Sequence, residues 1–220
     1  MSVFNGLESS GPRRLIRDQA HDAIRDAILA GVLEPGEQLD DAELQRWLGI
    51  SRTPIRQALF ALTLEGFVET APQAHTRVVK PRSEEAEQYL EAVGVLIAGV
   101  TNASIRVADA DQRAGVVARL RDALTGIDEH NMDTYAARMT DYYLEVRAIC
   151  PNRSLLEAVD HSARSLGYKV LVALKTKPIA WVALTEHHHR LLSAWEAGSP
   201  EAVEIATRRL FGGNPFESAA

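Results

Sequence analysis

The stretch from Gly49 to Glu69, GISRTPIRQALFALTLEGFVE, constrains the fold more than any other part of the chain. Ser51 is a good N-cap, and Pro54 falls in the first turn of a helix, where no intrahelical N–H partner is needed. Ala58, Leu59, Leu62 and Leu64 carry that helix to Gly66. Just upstream, DDAELQRWLG reads as a very short helix, with Asp40 and Glu43 at capping-box spacing, Leu44 and Leu48 on one face, and Gly49 as its close. About two residues, Gly49-Ile50, then separate two helices, which forces them into a tight corner.

An earlier helix precedes this pair. Arg13 to Leu33 has apolar residues at Leu15, Ile16, Ala20, Ala23, Ile24, Ala27 and Ile28, a helical period stopped by Gly31. EPGEQL follows as a turn on Pro35-Gly36. After the third helix, Phe67–Thr70 and Thr76–Val79 read as two short strands joined by Ala71–His75. Three helices and a hairpin make a winged helix-turn-helix over residues 10–80, in which the third helix enters the DNA major groove by its N-terminal residues. Arg52 and Arg56 stand one turn apart at that leading end, within reach of guanine O6/N7 or a phosphate.

Residues 83–213 read as all-α. Ser83 is the expected N-cap of the first helix, and helical stretches run 84–107, 110–127, 131–149, 153–176, 179–197 and 200–211. Asp109, Gly126, Pro151-Asn152, Pro178 and Gly198-Ser199-Pro200 punctuate them, giving an antiparallel bundle. The fold class is therefore mainly α: a winged helix-turn-helix with a small hairpin wing, then an all-α bundle.

Charge does not advertise a nucleic-acid partner. The chain is −6 overall, with nine Lys and Arg against eleven Asp and Glu in residues 1–80 and fifteen against nineteen in the rest. DNA contact must then rest on placement rather than bulk charge. Aromatics are only 6%, so Ala, Leu, Val and Ile build the core. The single Cys150 forms no intrachain disulfide and reads as a small buried apolar residue. The N-terminus lacks the pattern of a signal peptide, and no apolar run suits a membrane span, so a cytoplasmic location is expected.

The run AILAGVLEPGEQLDDAELQRWLGISRTPIRQALFALTLEGFVE closely resembles the GntR family of bacterial transcription regulators, with its "ILxGxLxPGxxL", "ExLxxxLGxSRTPxRxAL" and "LxxEGxV" segments. The resemblance implies a homodimer on a palindromic operator, controlled by a small molecule. It makes Ser51, Arg52, Thr53 and Arg56 the DNA-contact residues. The family's wing usually carries Arg-Gly where this chain has Ala74-His75, so His75 or Arg77 is the substitute wing contact. Ala42 also stands where many members have arginine.

The helical half resembles the FCD domain of the FadR subfamily, through DYYLEVRAICPNRSLL from Asp141 and HHHRLLSAWEAGS from His187. FCD domains often hold a divalent metal with one aspartate and three histidines. Here Asp141 and His188 keep their places, Glu145 replaces one histidine and Leu210 the other. The resemblance thus implies a reduced site of Asp141, Glu145 and His188 for Zn, Mn or Fe. Val93 and Ile97 stand where members often place an arginine and a glutamate facing the pocket, implying a less acidic, more apolar effector or a pocket packed shut. Two further readings follow: a constitutive repressor whose helical half only dimerises, and a metal-dependent enzyme fused to a DNA-binding module.

Overall fold

The computed structural model describes residues 15–71, 75–175 and 178–213. The chain divides into two compact units, Met1–Lys80 and Pro81–Ala220.

In the first unit, α1 (Ile16–Leu29), α2 (Asp41–Leu48) and α3 (Arg52–Glu65) precede an antiparallel hairpin, β1 (Val68–Ala71) and β2 (His75–Val78). One stripe of α1 (Ala20, Ile24, Ala27, Ile28) and one of α3 (Ile55, Ala58, Leu59, Leu62) are buried, and the two helices pack together. His21 Nε2 donates to Glu65 Oε1 at 2.7 Å, tying α1 to the end of α3. Leu44, Phe67, Val68 and Val78 complete this core. Asp40 caps α2 by accepting from the backbone of Ala42 and Glu43. Gly49 turns the corner at φ +68, a left-handed conformation that a Cβ would penalise, with its N–H on Gln45 O at 2.9 Å. The loop before α2 runs along β2, with Leu39 N–H donating to Thr76 O at 2.8 Å and Val78 N–H to Glu37 O at 2.9 Å.

Three sequence expectations for this unit change, one of them the second strand, which spans His75–Val78 rather than Thr76–Val79. Ser51 occupies the N-cap position of α3, but its side chain makes no capping bond. The first strand begins at Val68, because Phe67 is taken by the helix end, its N–H donating to Leu62 O at 3.0 Å. The expected loop Ala71–His75 includes residues 72–74, which lie outside the described residues.

The second unit opens with a 3-10 turn, Ser83–Glu85, followed by α4 (Ala86–Ile105), α5 (Ala110–Asp128), α6 (Met132–Ile149), α7 (Arg153–Leu174), α8 (Trp181–Ala197) and α9 (Pro200–Gly212). Among the described residues it contains no strand, and none of the described helices is long and apolar enough to cross a membrane. Arg82, not Ser83, stands at the N-cap of the opening turn. Asp109, Asn131, Asn152 and Ser199 cap the helices after the chain turns, Asp109 through a full capping box with Gln112. α4 is the axis on which α6, α7 and α9 pack. Val93 and Ile97 on α4 belong to a small apolar cluster with Val170 and Ala173 of α7. The larger cluster centres on α5, α6, α8 and α9 and includes Tyr142, Cys150, Trp195 and Leu210.

Gly126 does not break a helix. It lies inside α5, buried, where an added Cβ would come 2.4 Å from Tyr135 N and 2.6 Å from Tyr135 Cα. The residue is required by the close approach of α6, not by a turn. Gly126→Ala should gain roughly 1 kcal/mol of helix propensity and lose more, about 1–3 kcal/mol, to overpacking. Urea denaturation of the variant should show a net loss of stability, and a net gain would contradict this packing.

Candidate nucleic-acid interface

The leading end of α3 is presented to solvent because its other stripe is committed to the core. Ser51, Arg52, Thr53, Arg56 and Gln57 are all exposed, whereas Ile55 and Ala58 between and beyond them are buried. Ser51 Oγ is left free of the helix backbone, so it remains available to an incoming acceptor or donor. Arg52 is 63% exposed, and its Nε donates to Asp41 Oδ2 of α2 at 2.6 Å. The acid that partners this arginine therefore comes from the preceding helix, across the tight corner, and holds one edge of the guanidinium in place. Arg56 forms no ion pair among the described residues.

Arg56 lines an open groove of about 810 Å³ between α1 and α3, with Arg17, Thr53, Gln57 and Phe60. The acids of the same groove are largely spoken for. Asp22 accepts from Arg25 at 2.8 Å, and Glu65 accepts from His21. Pairing of these acids leaves positive charge at Arg56, in a chain that is acidic overall.

The wing residues are less free. Arg77 stands opposite Glu69 in the hairpin register, and its Nε donates to Glu69 Oε1 at 2.6 Å. His75 is exposed at the start of β2, its Nδ1 accepting from Gln38 Nε2 at 3.2 Å. Each has an internal partner, and Ala74 lies outside the described residues.

In the helical unit, Asp141, Glu145 and His188 are not brought together. Among the described residues no three His, Cys, Asp or Glu side chains are grouped closely enough to hold a metal ion. Asp141 faces Arg138 at 3.9 Å and Glu145 faces Arg119 at 3.6 Å, all four side chains being 38–49% exposed. His188 is 0% exposed. Its Nε2 donates to Leu120 O at 2.7 Å, and Tyr135 Oη donates to Nδ1 across 3.3 Å. Both ring nitrogens are thereby used, and Leu210 is core. The donor set does not fit a metal: one nitrogen ligand is enclosed in a satisfied network while the two carboxylates point into arginines at the surface. Val93 and Ile97 pack with α7 in the other cluster, in line with the packed-shut alternative for that face.

Of the three consecutive histidines, His188 is buried, His187 half-buried and His189 exposed. Missed in the sequence were the tyrosines. Tyr135 completes the His188 network, and Tyr142 Oη accepts from Trp195 Nε1 at 3.3 Å. Burial raises Tyr142 to about 12 and raises Tyr135 as well. Tyr143 packs against both apolar clusters, and its buried Oη has no hydrogen-bond partner among the described residues. A tyrosine at helical spacing gives no signal that separates such an orphan from ordinary core.

The family follows from comparison with known proteins. Residues 16–78 match the model for bacterial regulatory proteins of the gntR family. The chain is 32% identical over 122 residues to an uncharacterized HTH-type transcriptional regulator from the TAR-I ttuE-ttuC' intergenic region of Agrobacterium vitis, covering 54% of this chain and 71% of that one. It is 28% identical over 199 residues to a protein of Paenarthrobacter nicotinovorans named "Probable D-xylose utilization operon transcriptional repressor", covering 88% and 84%. Among solved structures, E. coli McbR/YncC superposes with a TM-score of 0.67 at 18% identity over 92% of this chain and 96% of that one. A GntR regulator from Rhodococcus superposes at 0.65 and 17% identity, over 90% and 94%; both likenesses speak to the fold. The chain belongs to the GntR family: it is a DNA-binding transcriptional regulator, and its family and relatives are regulators rather than enzymes.

The His188 network sets a pH dependence. Burial, its largest cause, lowers His188 from 6.5 to about 4. The unfolded chain then binds a proton that the folded chain refuses, so this contribution to stability is present above pH 6.5 and is lost as pH falls towards 4. The full loss is on the order of 3 kcal/mol. Denaturant midpoints should decline across that window and decline less in His188→Gln; equal slopes would contradict the buried neutral imidazole.

Proposed function

We propose that this chain is a cytoplasmic repressor that binds a palindromic operator as a homodimer. Its helical unit, of the FCD type, would join the protomers and take a small-molecule effector. The observation that carries the DNA half is the exposed group Ser51, Arg52, Thr53 and Arg56 on a helix whose opposite stripe is fully buried. Arg52 is pre-oriented by Asp41, which suits a bidentate contact to guanine; Arg56 suits either a base or a phosphate. Repression is supported by the relative named a repressor, whose similarity spans both units. A two-fold dimer presents two α3 helices to half-sites about one helical turn apart.

For the effector, Tyr143 Oη, unpartnered among the described residues and set between two apolar clusters, supports an apolar ligand with one hydrogen-bonding group, not a polycarboxylate held by arginine or metal. An effector controls DNA binding only by favouring one dimer arrangement over another. The assembly-only reading is favoured by the closed network around His188, which leaves no ligand atom free there.

Arg52→Ala should weaken binding to DNA upstream of the protein's own gene by about 1–3 kcal/mol and narrow its margin over random DNA. Unchanged affinity for both duplexes in a gel shift would overturn the role given to α3. Weakly polar organic compounds should raise the melting midpoint of the wild type but not of Tyr143→Phe. No rise with any compound in the wild type would leave the helical unit as an assembly module.

A further inference from the structure

The arginines do not exhaust the exposed stripe of α3. Thr53, Arg56, Gln57 and Phe60 follow the spacing zero, three, four, seven, which places successive side chains on one helix face. All four line the open groove between α1 and α3. Phe60 is 67% exposed, and Leu64, one turn further, 66%. Phe60 is thus a large apolar ring in water, continuous with the polar residues to which the proposal above gives the DNA contacts.

The partner of Phe60 follows from continuity with the DNA-binding face. A recognition helix in the major groove presents residues at this same spacing to base edges, as the third helix of a homeodomain does. Phenylalanine has no donor or acceptor for O6, N7 or N4 groups. The base feature it complements is the 5-methyl group of thymine, the one apolar projection in the major groove. From Arg56 to Phe60 the helix advances about 6 Å, nearly two base-pair steps at about 3.4 Å each. We propose that Phe60 reads a thymine methyl group in each operator half-site, about two base pairs from the position met by Arg56. The proposal rests on the DNA-binding role of α3 given above and makes Phe60 a specificity residue of that interface.

The test uses the full chain and duplexes selected from random sequence. Each thymine of the selected site is replaced singly by deoxyuridine, which removes the methyl and keeps every hydrogen-bonding group. At one thymine per half-site the wild type should lose about fourfold in Kd, the equivalent of one buried methyl-sized group. Phe60→Ala should be indifferent to that replacement while keeping its guanine preference, and Phe60→Leu should retain part of the sensitivity. Uridine tolerated everywhere by the wild type, or the same penalty in Phe60→Ala, overturns the assignment. So does a Phe60→Ala protein with intact sequence preference but an altered oligomeric state, which would put a protein surface on this face. Failure of the wild type to select any sequence is a separate result: it removes the DNA role of α3 itself, and the role of Phe60 with it.

Discussion

The winged unit depends on burying one stripe of α3 against α1. Ile55, Ala58, Leu59 and Leu62 have nowhere else to go, and Ala20, Ile24, Ala27 and Ile28 of α1 supply the facing surface. Once that contact is made, helical geometry decides what is left outside: Arg52, Thr53, Arg56, Gln57 and Phe60. The exposed chemistry of this helix is thus the complement of a packing decision. The left-handed turn at Gly49 adds the second requirement, bringing Asp41 of α2 within 2.6 Å of Arg52. An exposed ion pair of this kind contributes little to stability, roughly 0–1 kcal/mol. Its consequence is orientation, because an arginine held by its Nε edge has fewer rotamers to lose on meeting a base.

The helical unit solves a different problem. It carries buried polar side chains at its centre and satisfies several of them internally: His188 with Leu120 and Tyr135, Trp195 with Tyr142, Ser104 with Val100 and Val146. Closed networks of this sort favour one packing over others, since each unpaired member would cost the desolvation of its polar atom. The same closure explains why two carboxylates at plausible sequence positions do not make a metal site. Asp141 and Glu145 have arginines nearby at the surface, and the imidazole that would join them is already engaged.

Much of this was legible in the residues. Helices α1 to α9 fall close to where apolar period, caps and breakers put them, and the arginines of the third helix lie exposed towards its N-terminal end. What the residues could not reveal were distances across helices. Helical period says that one site takes at most one or two of the three consecutive histidines, but not that Leu120 O waits beside His188; it says that Val93 and Ile97 share a face, but not that this face meets α7. Gly126 reads as a stop because glycine usually weakens a helix, whereas the close approach of Tyr135 is visible only in three dimensions. Ser51 and Ser83 failed as side-chain caps for a related reason: cap chemistry follows residue type, but the bond depends on local backbone geometry. Phe60 looked like part of an apolar helix, and only its exposure sets it apart.

The central claim is that the exposed stripe of α3 enters the major groove. Dimethyl sulfate interference on the selected duplex tests it directly, because the reagent methylates guanine N7 in the major groove and adenine N3 in the minor groove. The account requires that N7 methylation at a guanine in each half-site abolish binding and that Arg52→Ala or Arg56→Ala relieve the effect. Interference confined to adenine N3, with every guanine N7 tolerated, would place the protein in the minor groove and contradict it.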